Sequence, residues 1–297
     1  PERDGDWLVG QGMADSAMGC FRNQAQAHVR INVDGSATVL SGFQDIGTGT
    51  LTIFPQIAGA VLGLEPGLVS CEMGDTALPE AGPTYGSSST MGVGAAVMAA
   101  ARDAIVRLEQ RSGSRLGETP GAGALATAMA SAGLNQLVGE GSWAPDQNGQ
   151  YALHTFGAVF VEVGVDPELG LVRLRRAVGR YSAGRIVNER TARAQMIGGI
   201  VWGWGKATME ASRQDPQRGR WLSKNLAGVA LPVNADIPAD IDVAFVEEID
   251  EHASPIGGKG IGELGATGID AAVADAVFHA TGVRIRELPI TPDKLVA

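Results

Sequence analysis

The chain predicts an α/β or α+β fold of two lobes, mixed β-sheets with helices packed on them. Three observations predict it. Short runs rich in β-branched residues stand in pairs at turn signals, apolar stretches with helical spacing follow glycine-bearing loops, and this order occurs once in each half. At 297 residues with 44% hydrophobic side chains, the chain has material for one large domain or two packed ones.

The first paired run, AHVRINVDGSATVL from Ala27 to Leu40, reads as two strands joined at Asp34-Gly35, a turn pair that favours a tight hairpin. SGFQDIGTGT then leads into LTIFPQIAGAVLG, helical in spacing although Pro55 blurs its start. LVSCEMGD is the next strand. The proline- and glycine-bearing TALPEAGPTYGSSST follows it and opens a long helix from about Gly92 to Gln110. Residues 111–150 are rich in Gly, Ser, Ala and Pro, with a short helix around ALATAMASAGLNQLV, and read as a connection between lobes. The expected division is 1–145 for a first lobe with its terminal linker, and 146–297 for a second.

The second half begins with FGAVFVEVGVDPELGLVRLRRAVG, two strands punctuated by Asp166-Pro167 and Gly170. ARAQMIGGIVWGWGKATMEAS reads as a packed helix, IDVAFVEEI as a strand, and GGKGIGELGATGIDAAVADAVF as a glycine loop running into a final helix. No GxGxxG follows the first strand, so the pattern is not that of a simple dinucleotide-binding unit.

Composition excludes several classes. The net charge is −10, from 23 Lys and Arg against 33 Asp and Glu, with no basic arm, which argues against nucleic-acid binding. The apolar runs are too short and glycine-rich for a membrane span. Cys20 and Cys71 have no metal-ligand spacing, and His28, His154, His252 and His279 form no HExxH pair, so no protein-ligated metal site is expected. The opening PERDGDWLVG lacks an initiator methionine, which fits a processed chain, a fragment or one piece of a longer polypeptide.

The chemistry concentrates in the loops. Around Glu263, glycines 257, 258, 260, 262, 265 and 268 strip side-chain bulk from one potential acid or base. A tight helix entry with an acidic residue near the dipole gives the same pattern. Gly47, Thr48 and Gly49 of DIGTGT, and Ser87, Ser88, Ser89 and Thr90 of YGSSST, offer amides and hydroxyls before a helix. They suit anionic ligand oxygens or, more simply, helix capping. Gln56 and Gln195 are carboxamides that serve either a polar ligand or nearby backbone. Trp202 and Trp204, one glycine apart, need not share a helix face and are expected mainly to pack.

Together, WLVGQGMA, DIGTGTLTIFPQIAGAVLGL, MGDTALP, YGSSST, GRIVNERTARAQMIGGIVWG, GKGIGELGATG and ATGVRIRELPITPDKL occur in an order that resembles the molybdopterin-binding subunit of the xanthine oxidase family, especially bacterial aldehyde oxidoreductases. The resemblance covers almost the whole chain but only the C-terminal portion of such a subunit. It implies that Glu263 is the glutamate taking a proton from a metal-bound hydroxyl or water. It also implies that Gln195 lies near the molybdenum ligands, that Gln56, Gly47 to Gly49 and Ser87 to Thr90 bind cofactor, and that the pterin holds the metal. The implied cofactor is molybdopterin with molybdenum, as the cytosine dinucleotide, with iron–sulfur clusters and FAD on partner subunits or domains. The implied substrate is an aldehyde or an N-heterocycle. The implied partners are the missing N-terminal half and iron–sulfur and flavin subunits, in a soluble bacterial enzyme of cytoplasm or periplasm. NERT at Asn188 to Thr191 replaces a more usual asparagine-proline turn. The other reading is a noncatalytic scaffold or assembly lobe of a molybdenum enzyme.

Overall fold

The computed structural model describes residues 2–146 and 150–296. In chain order the strands and helices are β1 (Glu2–Asp4), β2 (Trp7–Gly19), β3 (Ala25–Asn32), β4 (Ala37–Leu40), α1 (Thr50–Leu62), β5 (Val69–Glu72), α2 (Ser89–Ser112), α3 (Gly121–Ser131), β6 (Gln136–Trp143), β7 (His154–Val165), β8 (Val172–Ser182), α4 (Glu189–Thr208), β9 (Gln214–Asp215), β10 (Arg220–Trp221), β11 (Ile241–Phe245) and α5 (Ile269–Thr281).

The first sheet has the order β5-β4-β3-β6. The Asp34-Gly35 hairpin forms as the turn pair requires, with β3 and β4 antiparallel and Gly35 at φ 83°. Helix α1 then carries the chain across so that β5 lies parallel to β4. Pro55 sits inside α1 and is buried; the helix nonetheless starts at Thr50. Along β3, Ala25, Ala27, Val29 and Ile31 alternate inward and are buried, meeting Phe43, Phe54, Leu62 and the inner face of α2. Phe43 and Phe54 meet edge to face with centroids 4.6 Å apart.

The second sheet has the order β1-β2-β7-β8-β11. Strands β7 and β8 form an antiparallel pair, α4 crosses over, and β11 lies parallel to β8. Helix α5 lies on β2 and β7, and buries Ala272, Val273, Ala276, Val277 and Ala280 against Val161, Val163 and Val165. Strands β9 and β10 form a separate two-stranded ribbon.

The two sheets share one plan: hairpin, helical crossover to a parallel strand, then a helix laid on a fourth strand beside the first of the hairpin. In the first sheet that fourth strand, β6, comes last; in the second it is β2, contributed from the start of the chain.

Two expectations need correction here. The QLV end of the helix expected around residues 124–138 is strand, since β6 pairs with β3 from Gln136↔Asn32 to Trp143↔Ala25. Residues 111–150 therefore include an integral strand of the first sheet. Sheet membership also does not follow a cut at residue 145, because β2 pairs with β7 along its length from Leu8↔Val165 to Gly19↔His154.

Candidate functional site

Each sheet sends two strand-to-helix loops to a common cleft. From the first come the β4–α1 loop and the β5–α2 loop; from the second, the β8–α4 loop and the β11–α5 loop. They enclose a cavity of about 420 Å³, within the range of small-molecule sites. The N-termini of α1, α2 and α4 converge on it, so backbone amides without intrahelical partners are directed toward one volume.

In the β4–α1 loop, Gly47 and Thr48 line the cavity. Gly49 is the N-cap of α1 at φ 83°, and a Cβ there would come within 2.8 Å of the Thr191 side chain, so its role is to let α1 approach α4. Asp45 already uses part of the donor set, accepting from the amides of Gly47 at 2.8 Å and Leu51 at 2.9 Å. Burial raises the Asp45 pKa, but these amide hydrogen bonds outweigh it and hold the carboxyl below the ordinary range. Thr48 Oγ1 is buried without a hydrogen-bond partner in the structure.

In the β5–α2 loop, all four of Ser87, Ser88, Ser89 and Thr90 line the cavity. Ser88 is committed locally: its hydroxyl donates to Tyr85 O at 2.8 Å and accepts from Asn23 Nδ2 at 3.0 Å. Ser87 instead reaches across to the other half, donating to Glu263 Oε2 and accepting from the Glu263 amide at 3.1 Å.

The β8–α4 loop supplies Arg185, Ile186, Val187 and Asn188, and one face of α4 continues the wall. Thr191, Ala192, Gln195 and Trp202 follow Asn188 at spacings of three, four, seven and fourteen, so they share a helical face. Asn188 caps α4 by accepting from the Thr191 amide at 3.0 Å, which the NERT sequence provides without a proline. It also donates through Nδ2 to Gln56 Oε1 at 3.1 Å. Gln56 therefore stands one residue behind the cavity wall and holds Asn188. Trp204 is in the core at 2% exposure while Trp202 rims the cavity, so the intervening glycine does separate the two faces.

The glycines around Glu263 have different partners. A Cβ on Gly260 would overlap Ser87 O, and one on Gly262 would sit 2.9 Å from Ser87 Oγ. Gly265 lies against Met196 of α4, and Gly268, at φ 83°, begins α5 beside the Asp15 carbonyl. Gly257 and Gly258 lie against Arg185. The loop is thus both the close-packed helix entry and the seat of a cavity-lining carboxylate.

Lys259 is nearly buried and pairs with Glu248 at 2.8 Å, with Asp250 at 3.8 Å, rather than with Glu263. Burial raises the Glu248 pKa, yet Lys259, the Gly184 amide and the Ser182 hydroxyl together hold it below its ordinary value. Burial pushes the Cys71 thiol up to about 12, and raises Cys20 as well. Neither is a ready thiolate ligand. Among the described residues no group of three or more His, Cys, Asp or Glu could hold a metal ion.

Asp75 and Asp270 lie outside the cavity, one accepting from the Ala77 amide in a turn, the other paired with Lys206 at 2.7 Å. Sequence reasoning singled out Gly47, Thr48, Ser87 to Thr90, Gln195 and Glu263, which the fold brings together. Asn188 and Thr191, the ends of NERT, stand at helical spacing from Gln195, whereas Arg185 lies in the β8–α4 loop and carries no such signal.

The sequence profile of the molybdopterin cofactor-binding domain matches residues 2–238. The chain is 37% identical over 310 residues to the aldehyde oxidoreductase molybdenum-binding subunit PaoC of Escherichia coli (strain K12), covering 99% of this chain and 41% of PaoC. It is 32% identical over 320 residues to the probable hypoxanthine oxidase XdhD of the same organism, covering 99% of this chain and 32% of XdhD. The aldehyde oxidoreductase from Desulfovibrio desulfuricans ATCC 27774 superposes with a TM-score of 0.82 at 27% identity, over 99% of this chain and 32% of that one. A Cu,Mo-CO dehydrogenase superposes with a TM-score of 0.84 at 22% identity, over 98% of this chain and 41% of that one, which shows a common fold. The chain thus spans less than half the length of these relatives.

Proposed function

The chain belongs to the molybdopterin cofactor-binding domain family of xanthine oxidase-type enzymes, and from that premise we propose that it is part of an oxidoreductase converting aldehydes to carboxylic acids with water as oxygen donor. The observation that carries this reading is the meeting of Glu263, Gln195, Thr48 and the Ser87–Thr90 loop in one cavity, although they come from two sheets and span more than 200 residues.

The residues present fit an anionic, heteroatom-rich cofactor. Thr48 Oγ1 is a buried hydroxyl with no partner in the structure, and three helix N-termini bring amide donors to the same space. Gly47, Thr48, Ser89, Thr90 and Gln195 are the residues assigned to hold it, with Gly49 and Gln56 supporting Thr191 and Asn188 from behind. The cytosine dinucleotide form is part of this proposal, as are iron–sulfur clusters and FAD on other subunits or domains.

When bound, the molybdenum cofactor supplies the two-electron redox chemistry. Glu263 takes up a proton as the oxygen derived from water becomes the nucleophile, which is the work of a positioned general base. The carboxamide of Gln195 donates to or accepts from the cofactor and fixes its orientation. Trp202, half-exposed at the rim, narrows the approach to the cavity. Overall, an aldehyde and water give a carboxylic acid, two protons and two electrons, which the bound cofactor would accept.

The proposed partners are a segment equivalent to the N-terminal half of the molybdenum subunit and iron–sulfur and flavin subunits; that the chain spans 41% of PaoC supports the first of these. No helix among the described residues is long and apolar enough to cross a membrane; a soluble enzyme of bacterial cytoplasm or periplasm is the reading proposed.

The test is to purify the chain with its co-expressed partners, measure molybdenum and pterin across the size-exclusion peak, and assay aldehyde oxidation. Co-elution near one per chain with turnover that Glu263→Gln lowers by about a hundredfold or more supports the reading. An assembled, cofactor-supplied complex without molybdenum would make the chain a scaffold or assembly lobe. Turnover of N-heterocycles in preference to aldehydes would make it a hydroxylase component.

A further inference from the structure

Ser87 is the only non-glycine residue with positive φ among the described residues, at 57°, and it follows Gly86 at 59°. Two successive positive φ values, with the Ser88 amide donating to Tyr85 O at 3.2 Å, make a tight turn of the type that glycine or asparagine occupies most easily. A serine there carries a backbone cost of about 1 kcal/mol that glycine avoids. Such an outlier points to a use for the side chain.

The surroundings show that use. Gly260 and Gly262 leave room for Ser87 where any Cβ would collide with it. Its hydroxyl has one proton. Met18 Sδ is 3.7 Å away, a weak acceptor, whereas Glu263 Oε2 is a hydrogen-bonded carboxylate oxygen. The same Oγ accepts from the Glu263 amide, so the serine grips both the main chain and the side chain of one residue. The neighbouring Ser88 hydroxyl is engaged with Tyr85 and Asn23 instead.

We propose that Ser87 is a positioning residue for Glu263: its hydroxyl fixes Oε2 and thereby sets which carboxylate oxygen remains for proton uptake in the cavity. This rests on Glu263 being the base. Ser89 and Thr90, which also line the cavity, make no hydrogen bond to Glu263 among the described residues, so their replacement is expected to leave the carboxylate's orientation intact.

Two substitutions separate hydroxyl from backbone. Ser87→Gly removes the hydroxyl and relieves the turn; Ser87→Ala removes it and keeps the turn's cost. The co-purified holoenzyme and both variants are compared by isotope-edited infrared spectroscopy of glutamate, with Glu263→Gln assigning the Glu263 carboxylate band. Benzaldehyde oxidation is followed with a soluble dye as electron acceptor. The expected result is the same shift of the Glu263 band in both variants and a fall in kcat on the order of tenfold, with KM unmoved. In the Glu263→Gln background neither variant lowers the residual rate further. An unshifted band in both variants overturns the proposal, as does a band or rate that tracks turn stability, altered in one variant and normal in the other. Retention of full activity by Glu263→Gln would overturn the assignment of the base instead, and the infrared result would still report whether Ser87 holds the carboxylate.

Discussion

The two sheets follow the same plan and build the same joint between helix and strand, yet they bring different chemistry to the cavity. In the first unit, Gly139 and Gly141 of β6 let α2 lie directly on the strand, where Cβ atoms would collide with the backbone of Ala96, Ala100 and Ala104. In the second, Gly10 and Gly12 of β2 do the same for α5 against Ala272, Ala276 and Ala280. Glycine every second residue on a strand meets alanine every fourth residue on a helix. The loops at the ends of this shared frame then diverge. The first unit offers Thr48, Ser87, Ser89 and Thr90, hydroxyls without charge; the second offers Gln195 and Glu263, the carboxamide and the carboxylate. Under the proposed function, binding groups come from both halves of a repeated architecture, and the proton acceptor from the second alone.

The strongest way to break the comparison is through the acidic side. Glu263→Gln is expected to lower turnover of the assembled enzyme on the order of 10²–10⁴-fold, the range for a general base, while the fold and cofactor content stay as in the parent. Steady-state kinetics beside metal analysis checks both. A drop in cofactor content equal to the drop in rate would make Glu263 a binding residue, no different in kind from those of the first unit.

The shared joint should fail equally in both halves. Gly10→Val and Gly141→Val each drive a branched side chain into helix backbone, and each is expected to cost about 3 kcal/mol, read from denaturant midpoints at unchanged slope. A large loss for one and a small loss for the other would mean that the units are alike in topology only. Gly19→Ala on β2, where a Cβ meets nothing within 4 Å, is the control; it should change stability by no more than about 0.5 kcal/mol.

The smaller effect sharpens the contrast between loops. Asp45→Asn weakens the hydrogen bonds that organise the β4–α1 loop and is expected to cost about 1 kcal/mol. Because the folded-state pKa of Asp45 lies below its unfolded value, its contribution is present above the unfolded carboxylate pKa and is lost as pH falls through the folded one. The difference in stability between parent and variant should therefore shrink on acidification from pH 7 toward pH 3 or so; a constant difference would assign the effect to side-chain volume.

The glycine-alanine joint also explains what the sequence left hidden. The hairpins, the helices α1, α2, α4 and α5, and strands β5 and β11 follow from turn pairs and hydrophobic spacing. Strands β2 and β6 did not, and they are the two whose glycines accept a helix: WLVGQGMADSAMG carries no strand signal by propensity, and the QLV of QLVGEGSW reads as the end of a helix. Glycine at alternate positions, with AxxxAxxxA elsewhere, is the signal that exposes them. The cavity-lining loops were legible because glycines and hydroxyls cluster there before helices. The pairing of Ser87 with Glu263 was not, since 176 residues separate them and only the meeting of the β5–α2 and β11–α5 loops brings them together.

The most direct measurement of the central claim is cofactor content in single variants from each half. Thr48→Val alters the first unit's wall and Gln195→Ala the second's, and each is purified with its partners and analysed for molybdenum and pterin against the parent. A cavity built jointly by both units predicts near-stoichiometric cofactor in the parent and a clear loss in both variants. Undiminished cofactor in either, or none in a fully assembled parent supplied with it, would contradict a shared cradle.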